Sequence, residues 1–175
     1  MTGPVTVVVG ADGSEASGAA LAWSAGLVGA LGGQVVAVHA LGLLSHLPPG
    51  GEGPPEAQAA VTGGSEAPRA GGVAPEGRGP AARGPDHRAQ AEASLHRWCA
   101  PLQAAGVVHR CVVADGNPVI ALLHVARDVG ADLIVVGRRG SGGFPGLLLG
   151  STSHELTAHA HTPVVVVPGP ATVAP

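Results

Sequence analysis

Short apolar runs alternate along this chain with longer segments of helical periodicity. Runs rich in Val, Ile and Leu predict five buried strands, at 5–9, 34–40, 107–114, 132–136 and 163–167. Helical segments are predicted at 15–31, at 89–105, from 118 and after 151. Because strands that alternate with such helices favour βαβ units, the pattern predicts an α/β fold with an open, five-stranded parallel sheet. Right-handed crossovers would place helices on both faces, but the pattern leaves the strand order open.

Residues that start and stop helices sharpen these boundaries. Ser14 and Asn117 are predicted N-caps, with Pro118 at the first helical position. Pro101 predicts a break or bend in the segment 89–105, because proline cannot donate a helical hydrogen bond. The first helix should present an apolar stripe to the core, formed by Leu21, Ala25, Val28 and Leu31.

Residues 45–88 break the alternation of strands and helices. They contain 10 glycines and 8 prolines among 44 residues, with Leu47, Val61 and Val73 as the large apolar side chains. The combined glycine and proline content, about 41%, exceeds the roughly 25–30% above which a segment without a repeat is typically disordered. We predict one domain over 1–175, with a flexible insertion at 45–88 and a disordered tail at 169–175. A partner-binding or regulatory loop is the alternative for the insertion.

Charge and composition argue against several classes of protein. The formal net charge is −3, so the chain has no basic footprint for nucleic acid. Apolar runs are all shorter than the roughly 20 residues that span a membrane, and no Lys or Arg precedes the first one, as a signal peptide would require. We therefore expect a cytoplasmic protein that binds neither membrane nor nucleic acid. Cys99 and Cys111 lack metal-site spacing and are expected to be reduced thiols.

A glycine-rich stretch joins the fourth strand to the last helix. Its spacing is G-x2-G-x9-G-S, from Gly137 through Gly140 to Gly150 and Ser151. Glycines let the backbone approach a ligand closely, and N–H groups at a helix N-terminus attract anions. With Arg138 and Arg139 beside the first glycine, the pattern predicts an anion site.

Other catalytic and binding templates are absent. The chain has no Walker-type G-x4-G-K-[ST], no G-x-G-x-x-G after a strand, no HExxH and no G-x-S-x-G. His154, His159 and His161 cluster in sequence, but no two of them are four residues apart. No nucleophile–base pair stands out, so nothing in the sequence argues for fast catalysis.

The glycine spacing resembles the nucleotide-binding signature of the universal stress protein family. The resemblance extends to VVVGADGSEAS near the start, VVAVHA in the second strand, DLIVVGRRG with GSTS, and the closing TPVVVVP. It implies the strand order 3-2-1-4-5, with the switch point between the first and fourth strands. Ligands bind at the carboxyl ends of strands that flank such a point.

The resemblance also implies a site for ATP, with Mg²⁺ arriving on the phosphates. The ATP-binding members of the family hold the adenosine end by an acidic residue after the first strand and a residue that ends the second. The glycine motif and the following Ser/Thr residues hold ribose and phosphates. Carried onto this sequence, the site consists of Gly10, Asp12, Ala40, Gly137, Arg139, Gly140, Gly150, Ser151, Thr152 and Ser153.

Several of these residues have a second reading. Asp12 would accept hydrogen bonds from ribose or adenine, or else cap the following helix. Arg139 would bind phosphate or be a solvated cation. Ser151 and Thr152 would bind phosphate and also cap the last helix.

The resemblance therefore implies an ATP-binding sensor or regulator of the stress response, and the sequence offers no catalytic residues. The alternatives are an interaction protein of this fold that binds no nucleotide, and a slow ATPase or self-phosphorylating protein. The resemblance also implies a homodimer paired through the last strand, residues 162–167, which would be an apolar edge strand.

Overall fold

The computed structural model describes residues 3–42, 87–141 and 148–169. The predicted insertion therefore lies outside the described residues, apart from 87–88, which open a helix. The predicted tail likewise lies outside them, apart from Gly169.

The strands form one parallel sheet, as the pattern of apolar runs predicts. Its order is β3-β2-β1-β4-β5, and every neighbouring pair is parallel. The fold class and the implied order 3-2-1-4-5 are both confirmed. The strands are β1 (Val5–Gly10), β2 (Gly33–Leu41), β3 (Val108–Asp115), β4 (Leu133–Gly137) and β5 (Val164–Val167).

One helix more than the sequence predicts is found among the described residues. The segment predicted as one broken or bent helix is two helices that meet at Cys99, two residues before Pro101. Pro101 has no N–H to donate to the carbonyl four residues earlier, so the first helix ends and a new turn begins. The helices are α1 (Glu15–Leu31), α2 (His87–Trp98), α3 (Ala100–Ala104), α4 (Pro118–Asp128) and α5 (Ser151–His159).

Alternate residues of β1 supply the two faces of the core. Val7 and Val9 belong to a cluster with side chains of α1, α2 and α3, whereas Val8 belongs to a cluster with α4 and α5. All three valines are fully buried. Since a strand points successive side chains to opposite faces, the sheet carries helices on both sides and is doubly wound.

The helix starts agree with the sequence, and one predicted core position does not. Ser14 caps α1 by accepting from Ser17 N, and Asn117 caps α4 by accepting from the N–H of Val119. Leu31 was expected in the core but is 60% exposed. It lies in the last turn of α1, where Gly32 already turns the chain back towards the first residue of β1. No helix among the described residues is both long enough and apolar enough to cross a membrane.

Candidate functional site

A cavity of about 370 Å³ opens at the carboxyl ends of β1 and β4. The strand order reverses at this point, because β2 lies on one side of β1 and β4 on the other. Open α/β sheets bind ligands at such a switch point. The cavity is lined by all ten residues that the resemblance implies, namely Gly10, Asp12, Ala40, Gly137, Arg139, Gly140, Gly150, Ser151, Thr152 and Ser153. Their contacts with a ligand stay predictions.

Gly10 ends β1 at the floor of the cavity. A Cβ atom there would lie 3.1 Å from Val136 Cγ1 and 3.3 Å from Leu122 Cδ1. A larger residue at this position would press on β4 and α4 together, so glycine keeps the floor closely packed. The next residue, Ala11, continues the ladder by donating from its N–H to Val38 O at 2.8 Å.

Asp12 connects the start of α1 to the glycine loop. Its Oδ1 accepts from Ser14 N at 3.0 Å and from Ser14 Oγ at 2.6 Å, and its Oδ2 accepts from Ser141 N at 2.7 Å. Ser14 itself caps α1. The helix-cap role that the sequence allowed for Asp12 is therefore filled by Ser14, and the carboxylate of Asp12 faces the cavity instead.

Two opposing effects set the charge state of Asp12. Burial alone raises the pKa of this carboxyl, since it disfavours the ionised form. The hydrogen bonds from Ser14 and Ser141, joined by one from Ser17, outweigh burial and leave the pKa below its ordinary value of 3.8. Asp12 is thus an anion at neutral pH, and it draws hydrogen-bond donors towards this end of the cavity.

The three glycines of the motif are required for three different contacts. A Cβ atom on Gly137 would lie 2.6 Å from the carbonyl carbon of Ala16, so this glycine lets β4 pack closely against α1. A Cβ atom on Gly140 would lie 2.5 Å from Asp12 Oδ2. Gly140 is not among the residues of positive φ, so the close approach of Asp12, rather than backbone conformation, favours glycine there.

Gly150 closes the loop at its far end. Its N–H donates to Arg138 O at 2.9 Å, and a Cβ atom on Gly150 would lie 3.3 Å from that same oxygen. The two ends of the motif are thereby joined directly, although nine residues separate Gly140 from Gly150.

The N-terminus of α5 faces the cavity. Gly150 is the N-cap and makes no side-chain hydrogen bond, so the expectation that Ser151 and Thr152 cap this helix is wrong. The helix begins one residue earlier than that expectation required, which places both hydroxyls inside its first turn. The N–H groups of Ser151, Thr152 and Ser153 have no hydrogen-bond acceptor among the described residues. Such orphan donors, together with the helix dipole, favour an anion.

Ser153 differs from its two neighbours. Its Oγ donates to Gly137 O at 2.7 Å, and the residue is only 3% exposed. The hydroxyl therefore attaches the first turn of α5 to the end of β4. Ser151 is exposed and Thr152 half-buried, so their hydroxyls are the more accessible ones.

Positive charge lies beside these donors. Arg139 lines the cavity, is half-buried, and forms no ion pair with any described residue. The Nε of Arg138 is buried and has no hydrogen-bond partner within the described parts of the chain. The described residues also contain no group of three or more His, Cys, Asp and Glu that could hold a metal ion.

His39 is the most informative lining residue that sequence reasoning missed. Its Nδ1 lies 2.8 Å from Ala11 O, and since a carbonyl only accepts, Nδ1 carries the proton. Its ring meets that of Trp98 edge to face, with centroids 5.1 Å apart. A polar residue with apolar neighbours near the carboxyl end of a strand was the available signal. The other lining residues missed were Ala11, Ser14, Ser17, Val38, Pro118, Leu122, Val136 and Ser141.

Solved structures share this architecture. A universal stress protein in complex with cAMP is 24% identical, with a TM-score of 0.61 and coverage of 94% of this chain and 97% of the other. The hypothetical protein MJ0577 is 16% identical, with a TM-score of 0.62 and coverage of 94% and 96%. A universal stress protein from Archaeoglobus fulgidus in complex with dAMP is 18% identical, with a TM-score of 0.58 and coverage of 95% and 99%. At these identities, the likeness is evidence for the fold.

Curated relatives match over shorter stretches. Universal stress protein YxiE of Bacillus subtilis is 39% identical over 62 residues, 35% of this chain and 42% of YxiE. Universal stress protein Rv1996 of Mycobacterium tuberculosis is 47% identical over 60 residues, 34% of this chain and 18% of Rv1996. The chain thus spans less than half the length of either relative. The model of the universal stress protein family, by contrast, matches residues 5–168. The chain belongs to the universal stress protein family.

Proposed function

We propose that the cavity at the switch point binds ATP and that the protein acts as a sensor or regulator in the stress response. The observation that carries this proposal is the meeting of three elements around one cavity: the first-turn N–H groups of α5, which have no acceptor among the described residues, the side chain of Arg139 and the Asp12 carboxylate. Two similar proteins were solved with cAMP and with dAMP, which supports a ligand that combines adenine with phosphate.

The charges of the cavity indicate how the nucleotide would lie. Phosphates would take the α5 end, where the N–H groups of residues 151–153 and the guanidinium of Arg139 attract negative charge. The adenosine end would take the side of β1 and β2, between Asp12 and Ala40. Ribose hydroxyls or the adenine amino group can donate to Asp12, which repels phosphate by its own charge.

Mg²⁺ would arrive with the phosphates rather than occupy a site of its own. Asp12 is the single carboxylate that lines the cavity among the described residues. Mg²⁺ is commonly bound through one or two carboxylates, waters and substrate phosphates, so this lining suits a metal held mainly by the nucleotide.

A slow transfer of phosphate to the protein is a second candidate function. Ser151 and Thr152 line the cavity at the proposed phosphate end, and neither hydroxyl caps α5. Incubation with Mg-ATP followed by intact-mass spectrometry tests this candidate: an added phosphate group that is lost from the Ser151→Ala or Thr152→Val variant supports transfer. An unchanged mass would exclude phosphate transfer and leave ATP binding as the proposed activity.

Titration calorimetry with Mg-ATP tests the main proposal. We expect saturable binding of Mg-ATP, with weaker binding of Mg-GTP, whose base lacks the 6-amino group that Asp12 or His39 could accept from. Failure of every adenine nucleotide to bind would contradict the proposal and favour an interaction protein of the same fold.

We also propose a cytoplasmic homodimer paired through β5. Among the described residues, β4 is the one strand that bonds to β5, and Val164, Val165 and Val166 are half-buried. An apolar edge strand that stays uncovered is an association hazard, so a second copy of the same strand is a suitable cover.

A further inference from the structure

Two cysteine side chains lie against each other outside the lining of the cavity. Cys99 lies at the junction of α2 and α3, and Cys111 lies in the middle of β3. Their Sγ atoms are 3.2 Å apart, and both thiols are free. The residues are 12 apart in sequence, and α3 with the turn at Gly106 returns the chain so that they meet.

The two thiols differ in access to solvent. Cys99 is fully buried, and its carbonyl accepts from both Leu102 N and Gln103 N, so its backbone is held in the helix junction. Cys111 is half-buried on β3, which is an edge strand of the sheet. A small oxidant from solvent therefore reaches Cys111 first.

Burial also decides which sulfur is the weaker nucleophile. Burial, and then the hydrogen bond and charge of Cys111, raise the pKa of the Cys99 thiol to about 12. Because the thiolate is the reactive form, Cys99 is inert towards oxidants on its own. It can still attack a neighbouring sulfur that has already been activated.

We propose that Cys99 and Cys111 are a peroxide-responsive dithiol that closes to an intramolecular disulfide. This proposal does not depend on nucleotide binding. In the reduced state the pair is two thiols in contact, and in the oxidised state it cross-links the α2–α3 junction to β3. Intracellular disulfides of this kind are commonly transient and redox-sensing.

The reaction balances with hydrogen peroxide as the oxidant. The Cys111 thiol first gives up its proton, and the thiolate attacks one peroxide oxygen, so that an S–O bond forms and the O–O bond breaks. The second oxygen leaves as hydroxide and takes up that proton, which gives the first water. Cys111 is then a sulfenic acid, oxidised by two electrons. The Cys99 sulfur attacks the Cys111 sulfur, the S–S bond forms and the S–O bond breaks. The departing hydroxide takes the Cys99 proton, so two thiols and one peroxide give one disulfide and two waters.

Little movement is needed for the second step. A disulfide bond is about 2.0 Å long, so the two sulfurs must approach by about 1 Å from their 3.2 Å separation. Side-chain rotation with a small shift of the helix junction supplies a displacement of that size.

Trp98 lies where its fluorescence can report this displacement. It precedes Cys99, and its indole lies so close to Gly13 that an added Cβ there would be 2.6 Å from Trp98 Cζ2. The same ring meets His39, which lines the cavity. The other tryptophan, Trp23, is 41% exposed on α1, so Trp23→Phe leaves Trp98 as the single fluorescent reporter.

The experiment treats the reduced full chain carrying Trp23→Phe with hydrogen peroxide. We expect the intact mass to fall by two hydrogen atoms, both thiols to become unavailable to alkylation after denaturation, and Trp98 fluorescence to change. Dithiothreitol should reverse all three changes, and peptide mapping should recover the fragment that links Cys99 to Cys111.

Two single variants separate the roles. In Cys111→Ala, the remaining Cys99 should react with peroxide at least about tenfold more slowly than the parent. In Cys99→Ala, oxidation should stop at a Cys111 sulfenic acid that dimedone traps. A parent chain that gains oxygen or dimedone without losing two hydrogens, or that forms only disulfides between chains, would overturn the proposal. This mass measurement decides the question even if Cys99→Ala does not fold.

Discussion

At the scale of single residues, Gly140 provides a test of the candidate site. Valine there would place its Cβ within 2.5 Å of Asp12 Oδ2, so the loop or the carboxylate must move. We expect Gly140→Val to abolish measurable ATP binding in titration calorimetry, with a stability cost of about 1–3 kcal/mol. Gly42→Val is the matched control, because Gly42 follows β2 at the same end of the sheet and a Cβ there meets nothing within 4 Å. Equal binding by both variants would contradict the proposed site.

Asp12 provides a pH test at the same scale. Its pKa is lower in the folded protein than its ordinary value of 3.8. Its ionised form therefore stabilises the fold above the ordinary value, and this contribution is lost as the pH falls through the lower folded value. We expect the free energy of unfolding of the parent to decline more steeply than that of Asp12→Asn as the pH falls below about 4 in urea titrations. Parallel curves for the two proteins would show that the hydrogen bonds from Ser14 and Ser141 do not favour the anion.

At the scale of elements, α1 contains glycines that its packing does not need. Gly26 and Gly29 are exposed, and an added Cβ would meet nothing within 4 Å at either position. Alanine loses less conformational freedom in a helix, so Gly26→Ala and Gly29→Ala should each stabilise the protein by about 0.5–1 kcal/mol in chemical denaturation. Gly32→Ala is the control: the space is equally open, but φ is +74° at this C-cap, so the change should destabilise. A gain from Gly32→Ala would refute this account of the helix end.

At the scale of the whole molecule, the free edge of β5 carries the prediction of a homodimer. The carbonyl of Pro163 accepts from Ile134 N in β4, and that of Val167 accepts from the N–H of Arg138, the residue after β4. By the alternation of a strand, the N–H of Val166 therefore faces outwards. Val166→Pro removes that outward donor without removing a bond to β4. We expect sedimentation to show a dimer for the parent and a monomer for Val166→Pro, with thermal melting to verify that the variant folds. A monomeric parent, or a variant that dimerises equally well, would contradict pairing through β5.

Local pattern was sufficient for most of the elements. Runs of β-branched residues identified all five strands, and Ser14 and Asn117 were correctly assigned as caps, because both signals come from neighbours in sequence. Prediction from neighbouring residues failed at two helix ends, where contacts with residues distant in sequence matter. Leu31 has helical spacing from Val28, yet it is exposed because the chain turns back there. The cap of α5 is Gly150, since the backbone, and not a hydroxyl, closes the loop.

The sequence by itself determined the α/β class and the positions of the five strands, because the periodicity of apolar residues is a property of the linear chain. The ten candidate site residues came from the family resemblance, and all ten line the cavity at the switch point. The tertiary structure alone decided which residues that are distant in sequence come into contact. Ser141 donates a hydrogen bond to Asp12, which is 129 positions away in sequence. The ring of Trp98 contacts Gly13 and His39, and the sulfur of Cys99 contacts that of Cys111. Such contacts depend on crossover connections and strand register, which set distances between residues that no local pattern relates.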